Sequence, residues 1–302
     1  SITLVTGYGR PCEVRKEKII GYLLFARLCG DVYERMETQS ELYLKRHYDH
    51  SAFQYHYTSL SQDVILKLTS LLEQRIKEMI NEILLHIFDS TALSTSVREE
   101  RIRQGTRNKE KLTNKFHTML GYDPPFQVVI VEGMLASDNH TSDAEGAENI
   151  LKSKEGIKGY GFGDAAFETY GFIDESLGKN IEPIYKPTKK AVGKKLSAKA
   201  KLRKVWNGNH SRMYKDIRGT GEVLYGAATR CGLIHTNSIR EDNRQKDSLL
   251  IGLRQNLFTY LRLKVLLELF ENLNKTIIFI KMQLFPNMVK IKKLSIRRRI
   301  NG

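Results

Sequence analysis

Residues 83–91 have the sequence Ile-Leu-Leu-His-Ile-Phe-Asp-Ser-Thr and mark the place where the helical character of the chain changes. The apolar part of this segment is short and stops at Asp89. A short apolar run that ends in polar turn residues is typical of a buried strand. A helix is the alternative, because the segment continues a helical stretch. We predict a buried strand with Asp89 at its carboxyl end.

Upstream of this segment, residues 14–80 are predicted to be helical. Apolar residues cluster over 19–28 and recur at i, i+3 and i+4 spacing over 64–76. Asp49 and Ser51, which lie between them, are typical helix-start residues. Short helices with a basic flank fit a helix-turn-helix or a packing or dimerisation bundle, and the sequence leaves both open.

Downstream, strand and helix signals alternate. Residues 97–111 are polar and mostly basic, and we predict a solvated loop there. Two strands are expected over 112–119 and 126–131, joined by turn-forming residues at 121–125. Residues 142–145 resemble a capping box that opens a helix.

The later part of the chain continues this alternation. Residues 165–177 fit a strand-to-helix passage, and 181–185 fit another short strand. Helices are predicted over 214–230 and 247–273. An α/β fold, with helices beside a sheet, is therefore expected.

Charge suggests the class of partner. The 302 residues include 49 Lys and Arg against 34 Asp and Glu, a formal net charge of +15. Such an excess favours polyanions, because Lys and Arg on phosphates release condensed counterions. Residues 186–204 contain nine basic residues and no acidic one. This run fits a DNA-tracking loop, and a solvated insertion is its alternative.

Composition also bears on location. The three cysteines, Cys12, Cys29 and Cys231, show no pairing pattern, which argues against a zinc ribbon or a disulfide framework. Neither a secretory signal nor a membrane span is expected. We therefore expect a cytoplasmic protein.

Three carboxylates separated in sequence could form one site. Two-metal phosphoryl transfer needs acidic side chains that converge on two divalent ions. Asp89 at a strand end, Asp164 after a later strand and Glu222 within a helix are the candidates. Taken singly, an Asp at a strand end is more often a turn residue or a helix cap. Asp138 and Asp143 compete with Asp164, although Asp143 fits a helix start better.

The predicted helix over 214–230 supports Glu222. Tyr214, Arg218 and Glu222 are spaced i, i+4 and i+8 and would lie along one helix face. Arg218 could then hold a DNA phosphate while Glu222 binds metal. The alternative is a surface ion pair that stabilises the helix by a few tenths of a kcal/mol.

Together these residues resemble the DDE transposases of bacterial and archaeal insertion sequences. The resemblance covers roughly residues 80–265 and rests on segments in this order: Asp89-Ser90-Thr91, Lys115-Phe116-His117, Gly163-Asp164, and Tyr214 with Arg218 and Glu222. It implies an RNase H-like mixed sheet in which Asp89, Asp164 and Glu222 are catalytic metal ligands.

The resemblance also implies the partners and cofactors. Two Mg²⁺ ions, with Mn²⁺ as a substitute, would serve cleavage and strand transfer of double-stranded DNA by a homodimer or larger synaptic complex. Tyr214 and Arg218 would contact DNA, and so would the basic-run residues Lys189, Lys190, Lys194 and Lys195. A prokaryotic, nucleoid-associated protein is implied.

The implied organisation has three parts. Residues 1–80 form a helical DNA-binding or dimerisation region, 81–273 a catalytic core with the basic insertion at 186–204, and 274–302 a basic tail.

The sequence departs from the family pattern after the second aspartate. Asp164 is followed by Ala-Ala-Phe, where the family often has Lys-Gly-Tyr. A catalytically inactive, transposase-derived DNA-binding protein and an RNase H-like nuclease are therefore the alternatives.

Histidines near the N-terminus are a separate feature. His47, His50 and His56, with Asp49, could suggest metal ligation. No cysteine accompanies them, and such a helical region is more often used for packing or DNA contact. A zinc site is not expected there.

Overall fold

The computed structural model of the chain describes residues 14–95, 98–103, 106–111, 114–138, 140–186, 208–236, 238 and 240–284. The chain up to Leu257 forms one compact unit, and the part from Phe258 onward forms a second. The following account of the core concerns the first unit.

Four helices form the N-terminal region, as the sequence predicts. They are α1 (Lys16–Leu28), α2 (Tyr33–Leu44), α3 (His50–Ser59) and α4 (Gln62–Lys77). The predicted helix start at Asp49 is confirmed, because its Oδ1 accepts a hydrogen bond of 2.7 Å from the Ser51 N–H. Ser61 caps α4 through the Asp63 N–H in the same way.

A mixed sheet forms the centre of the unit. Its strands are β1 (Leu85–Thr95), β4 (Asn114–Asp123), β5 (Val128–Asp138), β6 (Gly159–Gly163), β7 (Ile181–Tyr185) and β8 (His235–Thr236). The order is β5-β4-β1-β6-β7, and β8 pairs with the end of β1. β5, β4 and β1 are antiparallel, whereas β6 and β7 run parallel to β1.

Helices cover both faces of this sheet, so the expected α/β class with a mixed, helix-flanked sheet is confirmed. They are α5 (Asp143–Lys152), α6 (Tyr170–Gly178), α7 (Gly208–Arg218), α8 (Glu222–Arg230) and α9 (Glu241–Leu284). Successive residues of β1 point to opposite faces. Phe88 packs in a core with residues of α5 and α6, whereas Ile87 packs in the core that includes Leu224 of α8 and Leu250 of α9.

Some predicted boundaries are wrong. β1 continues past Asp89, because β4 supplies partners for it as far as the Leu93–Asn114 pair. The expected loop over 97–111 is instead a hairpin of β2 (Arg98–Arg103) and β3 (Thr106–Lys111). Every residue of these two strands except Ile102 is polar, so no apolar periodicity marks them. The turn expected at 121–125 starts later, at Pro124, because β4 extends to Asp123.

The predicted capping box and late strand are confirmed. Ser142 accepts a hydrogen bond from the Glu145 N–H at the start of α5, and β7 spans the predicted residues 181–185. The predicted helix over 214–230 is interrupted, because residues 219–221, Gly-Thr-Gly, form a 3-10 turn between α7 and α8. Two glycines in three residues weaken an α-helix.

A buried carboxylate connects the N-terminal helices to the core. Asp247 of α9 accepts hydrogen bonds from Arg27 of α1 at 2.8 Å, from the Tyr57 hydroxyl of α3 at 2.6 Å and from Thr236 of β8 at 2.6 Å. The Arg27 guanidinium also lies over the Tyr57 ring, 5.4 Å from its centroid. The negative charge of Asp247 therefore connects α1, α3 and β8 to α9.

The neighbouring Lys246 is fully buried. Its Nζ donates to the carbonyls of Tyr57, Thr58 and Leu60 at 2.9, 3.1 and 3.1 Å, and it pairs with Asp242 at 2.7 Å. These carbonyls belong to the end of α3, where a cation is favourable for the helix dipole. Lys246 therefore fixes α3 against α9.

We expect Asp247→Asn to lower the free energy of unfolding by about 3 kcal/mol, because it leaves the partly buried Arg27 cation without its counter-charge. Urea unfolding followed by circular dichroism measures this. The control is Arg75→Ala, which removes a pair with Glu78 whose side chains are 66% and 63% exposed. That change should cost less than about 1 kcal/mol. Equal costs would contradict the role of Asp247.

Gly159 allows β6 to approach β1. Its φ is +124°, a value that L side chains rarely adopt, and a Cβ there would collide with the Leu84 carbonyl. The same carbonyl accepts a hydrogen bond of 2.8 Å from the Tyr160 N–H. The glycine is thus required where the parallel pairing of β1 and β6 begins.

Gly159→Ala should lower the free energy of unfolding by about 2 kcal/mol or more, through backbone strain and collision. Gly178→Ala is the matched control, because a Cβ at Gly178 meets no atom within 4 Å. Alanine there should be neutral or stabilise by up to about 1 kcal/mol. Thermal unfolding of both variants tests the difference, and an unchanged Tm in Gly159→Ala would refute it.

The second unit begins within α9 and is described by itself. Its helical part exposes several large apolar side chains: Phe258, Leu261, Val265, Leu269, Phe270 and Leu273. No helix within the described part of the chain combines the length and apolar character needed to cross a membrane.

Candidate active site

Asp89 and Asp164 belong to neighbouring parts of the sheet, because Asp89 lies within β1 and Asp164 directly follows β6. β1 and β6 pair with Ile87 opposite Phe162, and β6 ends at Gly163. Two more residues in the same register bring Asp89 level with Asp164. Adjacent strands are about 4.8 Å apart. The charge of Asp164 accordingly acts on the Asp89 carboxylate, so the first and second predicted ligands share one electrostatic environment.

Asp89 points toward the α7–α8 side of the sheet. Thr118 of β4 pairs with Asp89, and its hydroxyl shares a hydrogen bond of 2.8 Å with the Tyr225 hydroxyl of α8. The Asp89 Oδ1 accepts a hydrogen bond of 3.2 Å from Nη2 of Arg218, the last residue of α7. Strand alternation therefore brings Asp89 to the predicted arginine.

Arg218 has unused donor capacity. Its side chain is only 17% exposed, and its Nε and Nη1 are buried without a hydrogen-bond partner among the described residues. A buried donor left unsatisfied costs about 1–3 kcal/mol. The guanidinium is planar and matches oxyanions bidentately. Arg218 is therefore suited to bind an anion such as a phosphate next to Asp89.

The site raises the pKa of two groups. Burial raises the pKa of Asp89 above its ordinary value, Arg218 opposes this rise, and the charges of Asp164 and Asp143 add to it. Burial likewise raises the pKa of Tyr214. The charges of Asp164 and Asp89 add to this rise, whereas Arg218 opposes it. These couplings indicate that Tyr214, Arg218, Asp89 and Asp164 form one electrostatic cluster. Such perturbed groups are typical of functional sites and also occur in structural ion-pair networks.

Glu222 is less closely associated with the others. It is exposed and is the first residue of α8, after the 3-10 turn. A 3-10 turn rotates roughly 20° more per residue than an α-helix. Glu222 therefore does not lie on the same helix face as Tyr214 and Arg218, where the sequence predicted it. The ligand atoms of Asp89, Asp164 and Glu222 do not all lie within 4.8 Å of one another.

Asp164 also has a local role. Its Oδ1 accepts a hydrogen bond of 2.8 Å from the Ala166 N–H and so caps the 3-10 helix over residues 165–167. This is the capping role that the sequence leaves open for a single Asp. The second carboxylate oxygen is not used in that cap.

The two competing aspartates have structural partners. Asp143 begins α5 and pairs with Lys115 at 3.1 Å. The Oδ1 of Asp138 accepts hydrogen bonds of 3.0 Å from the N–H groups of His140 and Thr141. Asp143 still contributes to the potential at Asp89, but the strand register favours Asp164 as its neighbour.

The donor chemistry of the cluster fits a hard divalent cation in part. Asp89 and Asp164 offer carboxylate oxygens, which Mg²⁺ and Mn²⁺ prefer. Arg218 occupies one oxygen of Asp89, and the ligand atoms of the three predicted carboxylates do not form one group. Asp164 acts on Asp89 electrostatically, whereas Glu222 is exposed at the start of α8.

The remaining predicted contacts differ in status. Tyr214 and Arg218 belong to the cluster, whereas Lys189, Lys190, Lys194 and Lys195 lie outside the described residues. Two residues that the sequence did not suggest, Thr118 and Tyr225, border Asp89. Only the β1–β4 register reveals Thr118. Tyr225, three residues after Glu222, carries no motif of its own.

The cavity of about 960 Å³ in the first unit is elsewhere. Arg27, Tyr33, His235, Asn243 and Asp247 are among its lining residues, and none of the three predicted metal ligands is. Asp89 and Arg218 lie outside it, and their side chains are only 13% and 17% exposed.

No protein-family model matches this chain, and no curated protein sequence matches it either.

We expect the stability of Asp89→Asn relative to that of wild type to increase as the pH rises above 3.8, the ordinary pKa of Asp. The folded state raises the pKa of Asp89, so wild-type stability falls as the pH rises between the unfolded and folded pKa values. The asparagine escapes that loss. Tm measured for both proteins from about pH 4 to 7 tests the sign.

Asp138→Asn is the control with the opposite sign. Hydrogen bonds, chiefly from the Thr141 N–H, lower the pKa of Asp138, so its carboxylate stabilises the fold once pH exceeds its ordinary pKa. Asp138→Asn should therefore become more destabilising as pH rises toward 3.8, the ordinary pKa of Asp, so its Tm series starts at about pH 2. If the Tm differences of Asp89→Asn and Asp138→Asn from wild type change in the same direction with pH, the raised pKa of Asp89 is contradicted.

Proposed function

We propose that this protein is a DNA transposase of the DDE type, which catalyses metal-dependent phosphodiester hydrolysis and strand transfer at the ends of an insertion sequence. The observation that carries the proposal is the placement of Asp89 inside β1 and of Asp164 directly after β6, the parallel strand that pairs with β1. Arg218, with unused donors, lies on the same side of the sheet.

The sheet supports the same proposal. β5, β4 and β1 are neighbouring antiparallel strands, and β6 and β7 lie on the other side of β1 and run parallel to it. This order is compatible with an RNase H-like core. Such a core presents its first acidic residue on the central strand. Asp89 has that position here, inside β1 and next to the end of β6.

Asp89 and Asp164 would hold the divalent ions, and Glu222 would complete the ligand set. Bound Mg²⁺ or Mn²⁺ supplies charge neutralisation and activation of the attacking oxygen. The chain itself supplies positioning and electrostatic preorganisation. Arg218 would orient a DNA phosphate with its Nε and Nη1 and would release Asp89 to the cation. Tyr214, coupled to both, would contact the same strand.

Charge supports double-stranded DNA as the partner. The net charge of +15 favours a polyanion, and the basic run at 186–204 connects β7 to α7, which ends at Arg218. Lys189, Lys190, Lys194 and Lys195 would contact phosphates there. We propose a homodimer or larger synaptic complex in a prokaryotic, nucleoid-associated setting.

The arrangement of Arg218 and Glu222 favours a second candidate. An Asp89–Arg218 ion pair with Glu222 outside the group would also suit a catalytically inactive, transposase-derived DNA-binding protein. An RNase H-like nuclease is the third candidate, and it would cleave DNA without joining it.

The test uses a supercoiled plasmid that carries the DNA flanking this coding sequence, incubated with the full chain and Mg²⁺ or Mn²⁺. Wild type should nick and join DNA, and Asp89→Ala should lose at least about 10³-fold in rate, as expected for loss of a group that organises the transition state. Asp164→Ala and Glu222→Ala should show losses of similar size.

Asp143→Asn is the matched control, because Asp143 is acidic, near Asp89 and already paired with Lys115. It should keep wild-type activity. DNA binding without metal-dependent cleavage would indicate the inactive protein, and cleavage without joined products would indicate the nuclease. Equal activity of wild type and Asp89→Ala would exclude the proposed site.

A further inference from the structure

The turn between α2 and α3 folds back onto α2. Lys45 ends α2 in a left-handed conformation with φ of 60°. Ser40 on α2 then accepts a hydrogen bond of 2.9 Å from the Tyr48 N–H, and Asp49 caps α3. These constraints hold the residues of the turn close to the side chain of Glu37.

Three ligand-type side chains, those of Glu37, Asp49 and His50, meet at this turn, and His47 contacts Glu37 from outside this group. The His50 Nδ1 lies 2.9 Å from the Glu37 Oε2 and 3.6 Å from the Asp49 Oδ2. The His47 Nε2 lies 3.6 Å from the other Glu37 oxygen, Oε1. The ligand atoms of Glu37, Asp49 and His50 all lie within 4.8 Å of one another. Glu37, from the preceding helix, is the member that the histidine pattern did not reveal.

These separations match the edges of a tetrahedral zinc site. With metal–ligand distances near 2.0–2.1 Å, two ligands of tetrahedral zinc are roughly 3.3 Å apart. The observed values of 2.9 and 3.6 Å lie on either side of that figure. Imidazole nitrogens with carboxylate oxygens also form a donor set that zinc accepts and that magnesium, which prefers oxygen alone, does not.

The carboxylates are also held in position by other groups. The Asp49 Oδ1 accepts the Ser51 N–H at 2.7 Å, which leaves Oδ2 for a ligand. The Glu37 carboxylate is fixed by the His50 backbone N–H at 3.1 Å. Hydrogen bonds of this kind orient metal ligands. A single proton on the His50 Nδ1 can donate well to only one of its two carboxylate neighbours, whereas a cation contacts both.

We propose that Glu37, Asp49 and His50 bind one Zn²⁺ ion, with water as the fourth ligand, and that the ion fixes the α2–α3 turn. This site is distinct from the Asp89 cluster and does not depend on the proposed activity. Its expected effect is local, because all three protein ligands belong to α2, the turn and the first residue of α3. Zinc would therefore stabilise the N-terminal helices.

The test uses the full-length chain stripped with a chelator and dialysed against Zn²⁺ in excess Mg²⁺, with bound zinc measured by elemental analysis. Co²⁺ titration, followed by visible ligand-field absorption, reports nitrogen ligation. Wild type should retain one equivalent, and Asp89→Ala should retain the same amount. His50→Ala and Glu37→Gln should bind at least about tenfold more weakly.

His140→Ala is the matched control, since it removes an exposed histidine from another turn, and it should bind like wild type. Circular dichroism of the stripped variants checks that each is folded, and Asp49→Asn, which keeps a capping side chain at the start of α3, replaces any that is not. Failure of wild type to retain zinc, or equal retention by wild type and the ligand variants, would overturn the site.

Discussion

Strand β1 is paired along both edges, and its side chains alternate between two cores. β4 pairs with one edge and β6 with the other, so a shift of one residue would exchange the core-facing and site-facing side chains. Ile87 and Phe88 fix the register through burial in different clusters. The orientation of Asp89 follows from that register, and so does its contact with Arg218.

The N-terminal helices depend on a different constraint. Asp247 and Lys246, adjacent on α9, are both buried and both bonded to α3. Asn256 of the same helix bonds both backbone groups of Val131 on β5 and the Thr69 carbonyl of α4. The first part of α9 is thus the element to which the helical region and the sheet are both attached, and polar bonds in a low-dielectric interior make that attachment geometrically specific.

The candidate site combines functional features with structural costs. Burial disfavours the charge on Asp89, and Arg218 keeps buried donors unsatisfied. Both costs fall when a cation and an anion bind together, because the cation stabilises the carboxylate and the anion accepts the guanidinium donors. The Asp89–Arg218 ion pair is therefore consistent with the proposed site, in which a metal ion would bind Asp89 and a phosphate would bind Arg218.

Local signals in the sequence were reliable where a single element decides the outcome. The helix starts at Asp49 and Ser142, the strand at 181–185 and the helical character of 14–80 follow from capping chemistry and apolar periodicity. The hairpin over 98–111 escaped prediction because its strands are almost wholly polar. The end of β1 was misplaced because its extension depends on partners from β4 that lie elsewhere in the chain.

By itself, the sequence determined the α/β class, the basic charge and the identity of Asp89, Asp164 and Arg218 as candidates. Only the tertiary structure decided which of them meet. The parallel pairing of β1 with β6 brings the charge of Asp164 to act on Asp89, and strand alternation brings Asp89 to Arg218, whereas a two-glycine 3-10 turn precedes the exposed Glu222. Glu37 likewise joined His47 and His50 only through the fold-back of a turn. Convergence depends on contacts between distant segments, and composition and periodicity describe only neighbours along the chain.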